Sequence, residues 1–469
     1  MRTAHVVPMC GLGYAAHVVG DLDQTEGQED SALRVHMRDA RAAHVRLCSG
    51  ALQPALPIAA PGVTLGRRAA TSAVDIELDD NRMSRRHGRI AWTGSDWHYV
   101  DLDSRNGGFV EGRAVPPGTR AALLDGHVVR LGDTVMVFRV GEALDDGAAD
   151  ARAFPGTSPA AHDVRRRVRT LSGASGHVLI LGETGTGKEH VARALGAQRT
   201  GPFVAQNCAE LRKDLARSEL FGHVRGAFSG ATQARAGLVE LGDDGTLFLD
   251  EIGELALDVQ ADLLRFLEDG SYRPLGSSEL KRTNARIVAA TNVDIDHAVR
   301  QGLFRRDLAA RLRASNASLE LPPLRDRRED IPRWIRIFLA EAEHATAEIP
   351  AGAMECLLLY PWSENLRELR GVVRGLIAED PSAPWTAERL PARLRAHRAT
   401  LRDRVEVARE LPPAAPREPT AAEITAALAD AGGRVRRAAL QLGVDRRKLY
   451  RLCERFGIAL EAHRDKRGE

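Results

Sequence analysis

Residues 182–189 read Gly182-Glu183-Thr184-Gly185-Thr186-Gly187-Lys188-Glu189, after an apolar run at 177–181 and before a helix-like stretch from Val191 to Leu195. Strand, Gly-rich turn and helix in that order are what a phosphate-cradling loop requires, because glycines let successive backbone N–H groups curl round an anion at a helix N-terminus. Lys188 can then reach the outer phosphate oxygens as a compact point charge. Only five of the 66 Lys and Arg residues are lysine, so a lysine at this position is not what composition alone would place there. Glu189 stands where Ser or Thr would ordinarily hold Mg2+, which moves the metal onto other carboxylates or water. Further along, Gly245-Thr246-Leu247-Phe248-Leu249-Asp250-Glu251 is an apolar strand ending in two acids. Asp250 is placed to hold Mg2+, and Glu251 to polarise a water for attack on a phosphoryl group. A Gly-rich turn and an unrelated acidic loop could share these letters, but strand, loop, helix and acidic strand all fall in order.

Elements must hold these residues, and the composition allows them. The 469 residues are 43% hydrophobic and 28% charged, which excludes a wholly disordered chain. At roughly 150 residues per domain the length points to about three domains. Between 57 and 140, short β-like runs (Ile90 to Trp92, Trp97 to Val100, Val135 to Phe138) alternate with Gly and Asp turns, as in a β-sandwich. From 160 to 400, strand-like runs at 177–181, 246–249 and 287–290 alternate with helical patterns, as in a parallel α/β sheet. Ile331, Trp334, Ile335, Phe338 and Leu339 then recur at helical spacing and predict a helix with one buried face. At the C-terminus, helical stretches near 421–431 and 434–442, a turn at Gly443 and a run from Asp445 to Arg455 form a helix-turn-helix layout, with Asp445 as cap. Net charge is only +2, but residues 434–467 hold eleven Lys or Arg against four acids, a surplus suited to a phosphate backbone. The longest uncharged stretches, 3–20 and 47–66, are broken by Gly and Pro, so neither a membrane span nor a signal peptide is expected, and the protein should stay in the cytoplasm. The five cysteines stand singly with no CxxC pair, against a disulfide framework or a zinc site.

Residues 182–189, 245–251 and Glu219-Leu220-Phe221-Gly222-His223-Val224-Arg225-Gly226-Ala227-Phe228-Ser229-Gly230-Ala231 together resemble the bacterial enhancer-binding proteins, which are AAA+ activators of sigma-54 RNA polymerase. The resemblance runs from about Gly156 to Asp380, and segments 322–331 and 360–369 carry it through a helical lid. It implies an ATPase with ATP and Mg2+ as cofactors, Lys188, Asp250 and Glu251 as catalytic residues, and Gly182 to Glu189 as the nucleotide cradle. It also implies Asn292 as sensor I, Arg367 as sensor II and Asn207 as the polar partner that restrains Glu251. Arg305 and Arg311 match the fingers that reach the γ-phosphate of a neighbouring subunit, which implies a hexamer when active. Taken alone, either arginine reads equally well as part of a surface Arg-rich helix. Gly226, Ala227, Phe228, Ser229, Gly230 and Ala231 match the loop that contacts sigma-54, with Phe228 as an exposed apolar tip. Ser229 replaces the family's usual Thr, Ser363 and Glu364 replace Pro-Gly, and the stretch from Arg313 to Glu320 is slightly long.

Both ends carry resemblances of their own. Gly66-Arg67, Ser84-Arg85-Arg86-His87, Ser104-Arg105-Asn106-Gly107 and residues 131–138 resemble the forkhead-associated (FHA) domain, a phosphothreonine reader. By that resemblance Arg67, Ser84 and Arg85 meet the phosphate, Asn106 fixes the peptide backbone and His87 is a structural brace. Arg105 stands where Thr is common. Residues 438–450 resemble the Fis-type DNA-binding domain, with Arg434 replacing a usual Asn, and Arg446, Arg447, Lys448 and Arg451 are the DNA-contact candidates. The expected chain is multidomain: an uncertain extension at 1–50, an all-β FHA sandwich at 51–141, a linker at 142–159, an α/β P-loop core at 160–324, a helical lid at 325–400, a second linker at 401–420 and an all-α helix-turn-helix domain at 421–469. The implied function is remodelling of sigma-54 RNA polymerase from upstream, enhancer-like DNA under phosphothreonine control. Rival readings are a DNA-binding regulator, an AAA+ remodeller acting on another partner, and an FHA-led signalling scaffold without a promoter.

Overall fold

The computed structural model describes residues 5–6, 42–48, 55–69, 74–143, 153–313, 317–344, 347–403 and, in the C-terminal part, 421, 424–425, 428, 435, 446–456 and 458. The chain divides into two compact units, Met1–Asp403 and Arg404–Glu469. The first unit opens with a sandwich of two six-stranded sheets. One sheet runs His5–Val6, Ile76–Leu78, Gly62–Arg67, Gly88–Trp92, Trp97–Asp101, Arg120–Leu123, and the other Ala55–Ala59, Ala42–Leu47, Thr134–Val140, Val128–Leu131, Gly108–Val110, Arg113–Val115. All pairings are antiparallel except the parallel pair Gly62–Arg67 with Ile76–Leu78. Leu65, Ile90, Tyr99, Val129, Leu131, Met136 and Phe138 fill the space between the sheets.

The sandwich extends further back than residue 51, because Ala42–Leu47 pairs antiparallel with Thr134–Val140. Five of its six residues, Ala43 to Leu47, are buried, and leaving them out would strip the central strand of a partner. Residues 153–159 likewise do not act as linker. Phe154, Thr157 and Ser158 are buried, and Asp330 accepts hydrogen bonds from the backbone N–H of Thr157 and Ser158. Ser158 Oγ caps the helix Pro159–Ser172. Residues 144–152 and 404–420 lie outside the described residues.

The central part is a five-stranded parallel sheet in the order Phe203–Asn207, Thr246–Asp250, Arg286–Thr291, Val178–Leu181, Ser318–Glu320. The three strand-like runs read from sequence are its middle strands. The edge strands are shorter or less buried, which is why their apolar signal is weak. The lid follows, with helices Ile331–Glu341, Ala351–Leu359, Asn365–Glu379 and Ala392–Asp403. Ile331, Trp334, Ile335, Phe338 and Leu339 are all buried, as their spacing predicts.

Two elements are buried on more than one face. Thr134–Val140 is buried at every position up to Arg139. Met136 and Phe138 enter the sandwich core, while Val135 and Val137 join the lid's cluster with Leu357, Leu358 and Trp362. In the lid helix Ala351–Leu359 only Gly352 escapes burial. The sandwich is therefore packed onto the lid, not tethered beside it. Each fully buried Val or Leu in this seam contributes about 1.5–3 kcal/mol.

In the second unit, Ile424, Leu428, Leu449, Leu452 and Cys453 make a small core with Val435 and Ile458 around the helix Arg446–Arg455. Gly443 and the cap Asp445 lie outside the described residues.

Candidate functional site

The P-loop closes between the strand Val178–Leu181 and the helix Lys188–Gly196. Gly187, at φ 106°, turns the chain into that helix with a left-handed backbone that a side chain would strain. Lys188 is buried and its Nζ donates to the carbonyls of Gly182 at 3.0 Å and Glu183 at 3.3 Å. Glu251 lies 3.8 Å from the same Nζ. Thr186 Oγ1 donates to Glu183 O, bracing the loop internally.

Asp250 and Glu251 end the strand Thr246–Asp250 beside the loop. Burial raises the Asp250 carboxyl above the usual carboxylate range, with Lys188 pulling the other way. Asp250 Oδ1 accepts from Glu251 N at 3.0 Å. Glu251 adopts φ 51°, the left-handed region, which places its carboxylate off the strand. Its Oε2 accepts from Asn292 N at 3.3 Å, and Asn292 Nδ2 donates to Thr184 Oγ1 at 2.9 Å. Asn292 thus spans from the acidic strand end to the P-loop. Asn207 pairs in register with Asp250, but its side chain caps Ala209 N and not Glu251. Glu189 lies on the outer face of its helix, bonded to Arg193.

Sequence reasoning missed the residues that seal the loop from the lid side. Asn365, buried and at φ 52°, accepts from Leu324 N and donates to Thr184 O and Glu183 Oε2. Arg325 grips Glu183 through both carboxylate oxygens and holds that carboxyl below its ordinary value. Arg327 is fully buried and donates to Thr186 O. Leu366 N donates to Gly185 O, and Arg367 follows directly, exposed, with its Cβ 3.1 Å from where a Gly185 side chain would begin. The motifs containing Asn365 and Arg325 were in view, but nothing in their spacing says which letter crosses to the P-loop.

Arg305 is ion-paired with Asp307 at 2.7 Å, and Arg311 donates to Leu267 O. Neither is bonded to the cluster around Lys188. In the loop 226–231, Gly226 and Gly230 have positive φ and open space around them. The exposed tip expected of Phe228 is not what the loop shows: the ring is half-buried, edge-on to His223 at 5.1 Å. The neighbouring hairpin supports the loop, since Val224 N donates to Leu275 O and Leu275 N to Gly222 O.

In the sandwich, a cleft of about 570 Å³ is lined by Arg67, Arg82, Ser84, Arg85, Arg105 and Asn106, with Asn81 and Met83. Arg67 N donates to Ser84 O, and Arg67 Nε is buried without a hydrogen-bond partner. Ser84 Oγ accepts from Arg105 N, while Asn106 Nδ2 donates to Arg82 O. His87 is a brace: Ser84 N donates to its Nδ1, its Nε2 meets Gly107 O, and burial lowers its pKa. All four sequence-predicted residues thus gather on one cleft, joined by Arg82 and Arg105. In the second unit Arg446, Arg447, Lys448 and Arg451 share one helix, with Arg451 exposed. No described helix is long and apolar enough to cross a membrane.

Comparison with known proteins matches residues 154–318 to the Sigma-54 interaction domain, 63–132 to the FHA domain, 325–406 to the AAA+ ATPase lid domain and 421–452 to the Bacterial regulatory protein, Fis family. The DNA-binding transcriptional regulator NtrC of Rhizobium meliloti is 44% identical over 258 residues, 54% of this chain and 53% of its own. The Nitric oxide reductase transcription regulator NorR2 of Cupriavidus necator is 35% identical over 418 residues, 78% of this chain and 77% of its own. The crystal structure of NtrX from Brucella abortus in complex with ATP aligns at 30% identity over 65% of this chain and 69% of that one, with a TM-score of 0.46. The chain spans about half the length of the NtrC relatives it matches.

Proposed function

The chain belongs to the sigma-54-dependent transcriptional activators, with an FHA domain, a sigma-54 interaction domain, its lid and a Fis-type DNA-binding domain, and from that premise we propose that it hydrolyses ATP to remodel the closed complex of sigma-54 RNA polymerase. On this reading it works as a hexameric ring, anchored on upstream DNA through the helix Arg446–Arg455 and controlled by phosphothreonine recognition at the Arg67 cleft. The observation that carries it is the cluster in which Asn292 ties Glu251 to the P-loop beside Lys188.

Lys188, now held by two loop carbonyls, is the cation that meets the β- and γ-phosphates. Glu251 orients and deprotonates the attacking water, and Asn292 holds that carboxylate in place. Mg2+, when bound, neutralises charge on the phosphate oxygens. Asp250 is the oxygen donor that fits it. Among the described residues no three His, Cys, Asp or Glu side chains cluster to hold a metal, so phosphate oxygens and water would complete the shell. Arg305 and Arg311 act on the nucleotide of the neighbouring subunit, and Arg367 on that of its own. Residues 226–231 would carry the motion to sigma-54, with Phe228 leaving its place on His223 to make contact.

The test is open-complex formation by sigma-54 polymerase with the purified full chain, with and without ATP. Open complexes that require ATP support the reading. ATP turnover without open complexes would point to a remodeller of another partner and put Ser229 in question. Absence of turnover would refute the ATPase itself.

A further inference from the structure

The phosphate-facing cleft does not end at the sandwich. A second cavity of about 220 Å³ shares Arg82 and Asn106 with it, and its remaining walls include Arg130 and Asp133 of the sandwich and Gly352 and Arg398 of the lid. Two domains therefore wall one trough.

Its charge is uneven. Asp133 lies 3.6 Å from Arg82, so that acid already has a cation. Arg130 and Arg398 both lean on Glu355, a carboxylate with a side chain only 1% exposed, and Arg402 comes within 3.7 Å of the same oxygen. One buried anion thus faces three guanidinium groups. Arg130 Nε lies 3.2 Å from Glu355, and the Arg130 guanidinium stacks on Phe109. Three guanidinium groups sharing one carboxylate leave positive charge in excess, and a planar guanidinium held by packing suits a second carboxylate.

We propose that a phosphothreonine partner is read by both domains at once: the phosphate by the Arg67 cleft, and an acidic side chain flanking it by the trough between Arg130 and Arg398. The proposal rests on the phosphothreonine reading of the Arg67 cleft. The partner class is then an acidic phosphothreonine segment, and binding bridges the sandwich to the lid. The lid is also the part that seals the P-loop through Asn365.

Fluorescein-labelled alanine-rich peptides with one phosphothreonine, carrying a single Glu, Ala or Lys at each of four positions on either side, are titrated against the full chain by anisotropy. At one position Glu should bind about ten-fold tighter than Ala, and Lys more weakly. Gly352→Glu places a competing carboxylate in the trough. A Cβ there meets only Arg398 Nη1, at 3.8 Å, and an acid in the first turn of a helix is favourable, so this variant should fold. It should abolish the Glu preference and leave the all-Ala phosphopeptide unchanged, whereas Gly352→Ala should keep the preference and Arg67→Ala should weaken every phosphopeptide. Absence of any Glu preference, or a preference that survives Gly352→Glu, overturns the shared trough while phosphothreonine reading stands. If no phosphopeptide binds better than its unphosphorylated twin, both fall.

Discussion

Glu251 holds a left-handed backbone at φ 51°, a strain of about 1–3 kcal/mol that surrounding structure must offset. Here the offset comes from Asn292 N on its carboxylate and from its own N–H on Asp250. Glu251→Gln keeps size and backbone but removes the base, so it should bind ATP normally and lose at least a hundred-fold in turnover. Full turnover in that variant would remove Glu251 from the mechanism. Gly185 faces a different constraint. At φ 76°, a Cβ there would lie 2.1 Å from Glu364 O, so Gly185→Ala must push the lid off the loop. We expect weaker nucleotide binding and a lower Tm from that single methyl, measurable by calorimetry with and without ATP. Arg67→Ala removes a buried guanidinium nitrogen that has no partner in the fold, so the sandwich should keep its stability within about 1 kcal/mol while phosphopeptide affinity is lost.

Among the elements, the short segment 324–330 joins most parts of the first unit. Arg325 and Arg327 reach the P-loop at Glu183 and Thr186, Arg328 and Glu329 reach the sandwich at Glu111 and Arg139, and Asp330 holds Thr157 and Ser158. Burial opposes the charge on Arg139, but Glu329 and Asp125 more than compensate and keep it a firm cation. Removing one partner strands the other, so Arg139→Ala should cost about 3–5 kcal/mol, whereas replacing both Arg139 and Glu329 with leucine should cost much less. Denaturant unfolding of the single and double variants would decide it. His177, at the start of the strand Val178–Leu181, adds a pH dependence. Burial, with Arg311 and Arg286 nearby, lowers His177 to about 4, and neutral Nδ1 accepts from Ile287 N. The unfolded chain takes up this proton near pH 6.5 and the folded one only near 4, so stability should fall by about 3 kcal/mol as pH drops across that window and level off below it. His177→Gln should flatten that slope.

For the whole molecule, the packing of the sandwich on the lid sets what can be cut. Deleting residues 1–150 would expose Leu357, Leu358 and their neighbours, which now face Val135 and Val137, and should give a poorly soluble fragment by sedimentation. Point variants at Arg67 are the cleaner probe of control. If Arg305 and Arg311 serve a neighbouring subunit, mixing Glu251→Gln with Arg311→Ala protein should restore part of the turnover that each lacks, because some interfaces then pair an intact base with an intact finger. The P-loop, the acidic strand and the residues that gather on the sandwich cleft were legible in the sequence because each is a local pattern, where turn chemistry and strand period act within a few residues. The amphipathic helix at Ile331 was legible for the same reason. The run Val135 to Phe138 also carried a sign: it is continuously apolar where a strand with one wet face alternates, and the lid covers its second face. What only the tertiary structure decided is which distant groups meet. Asn365 on Thr184, Glu329 on Arg139, and Arg130 with Arg398 on Glu355 are pairs whose members lie far apart along the chain. In a chain this rich in arginine many partners were chemically equivalent, and only burial against one particular surface, where an unpaired charge is costly, selects among them.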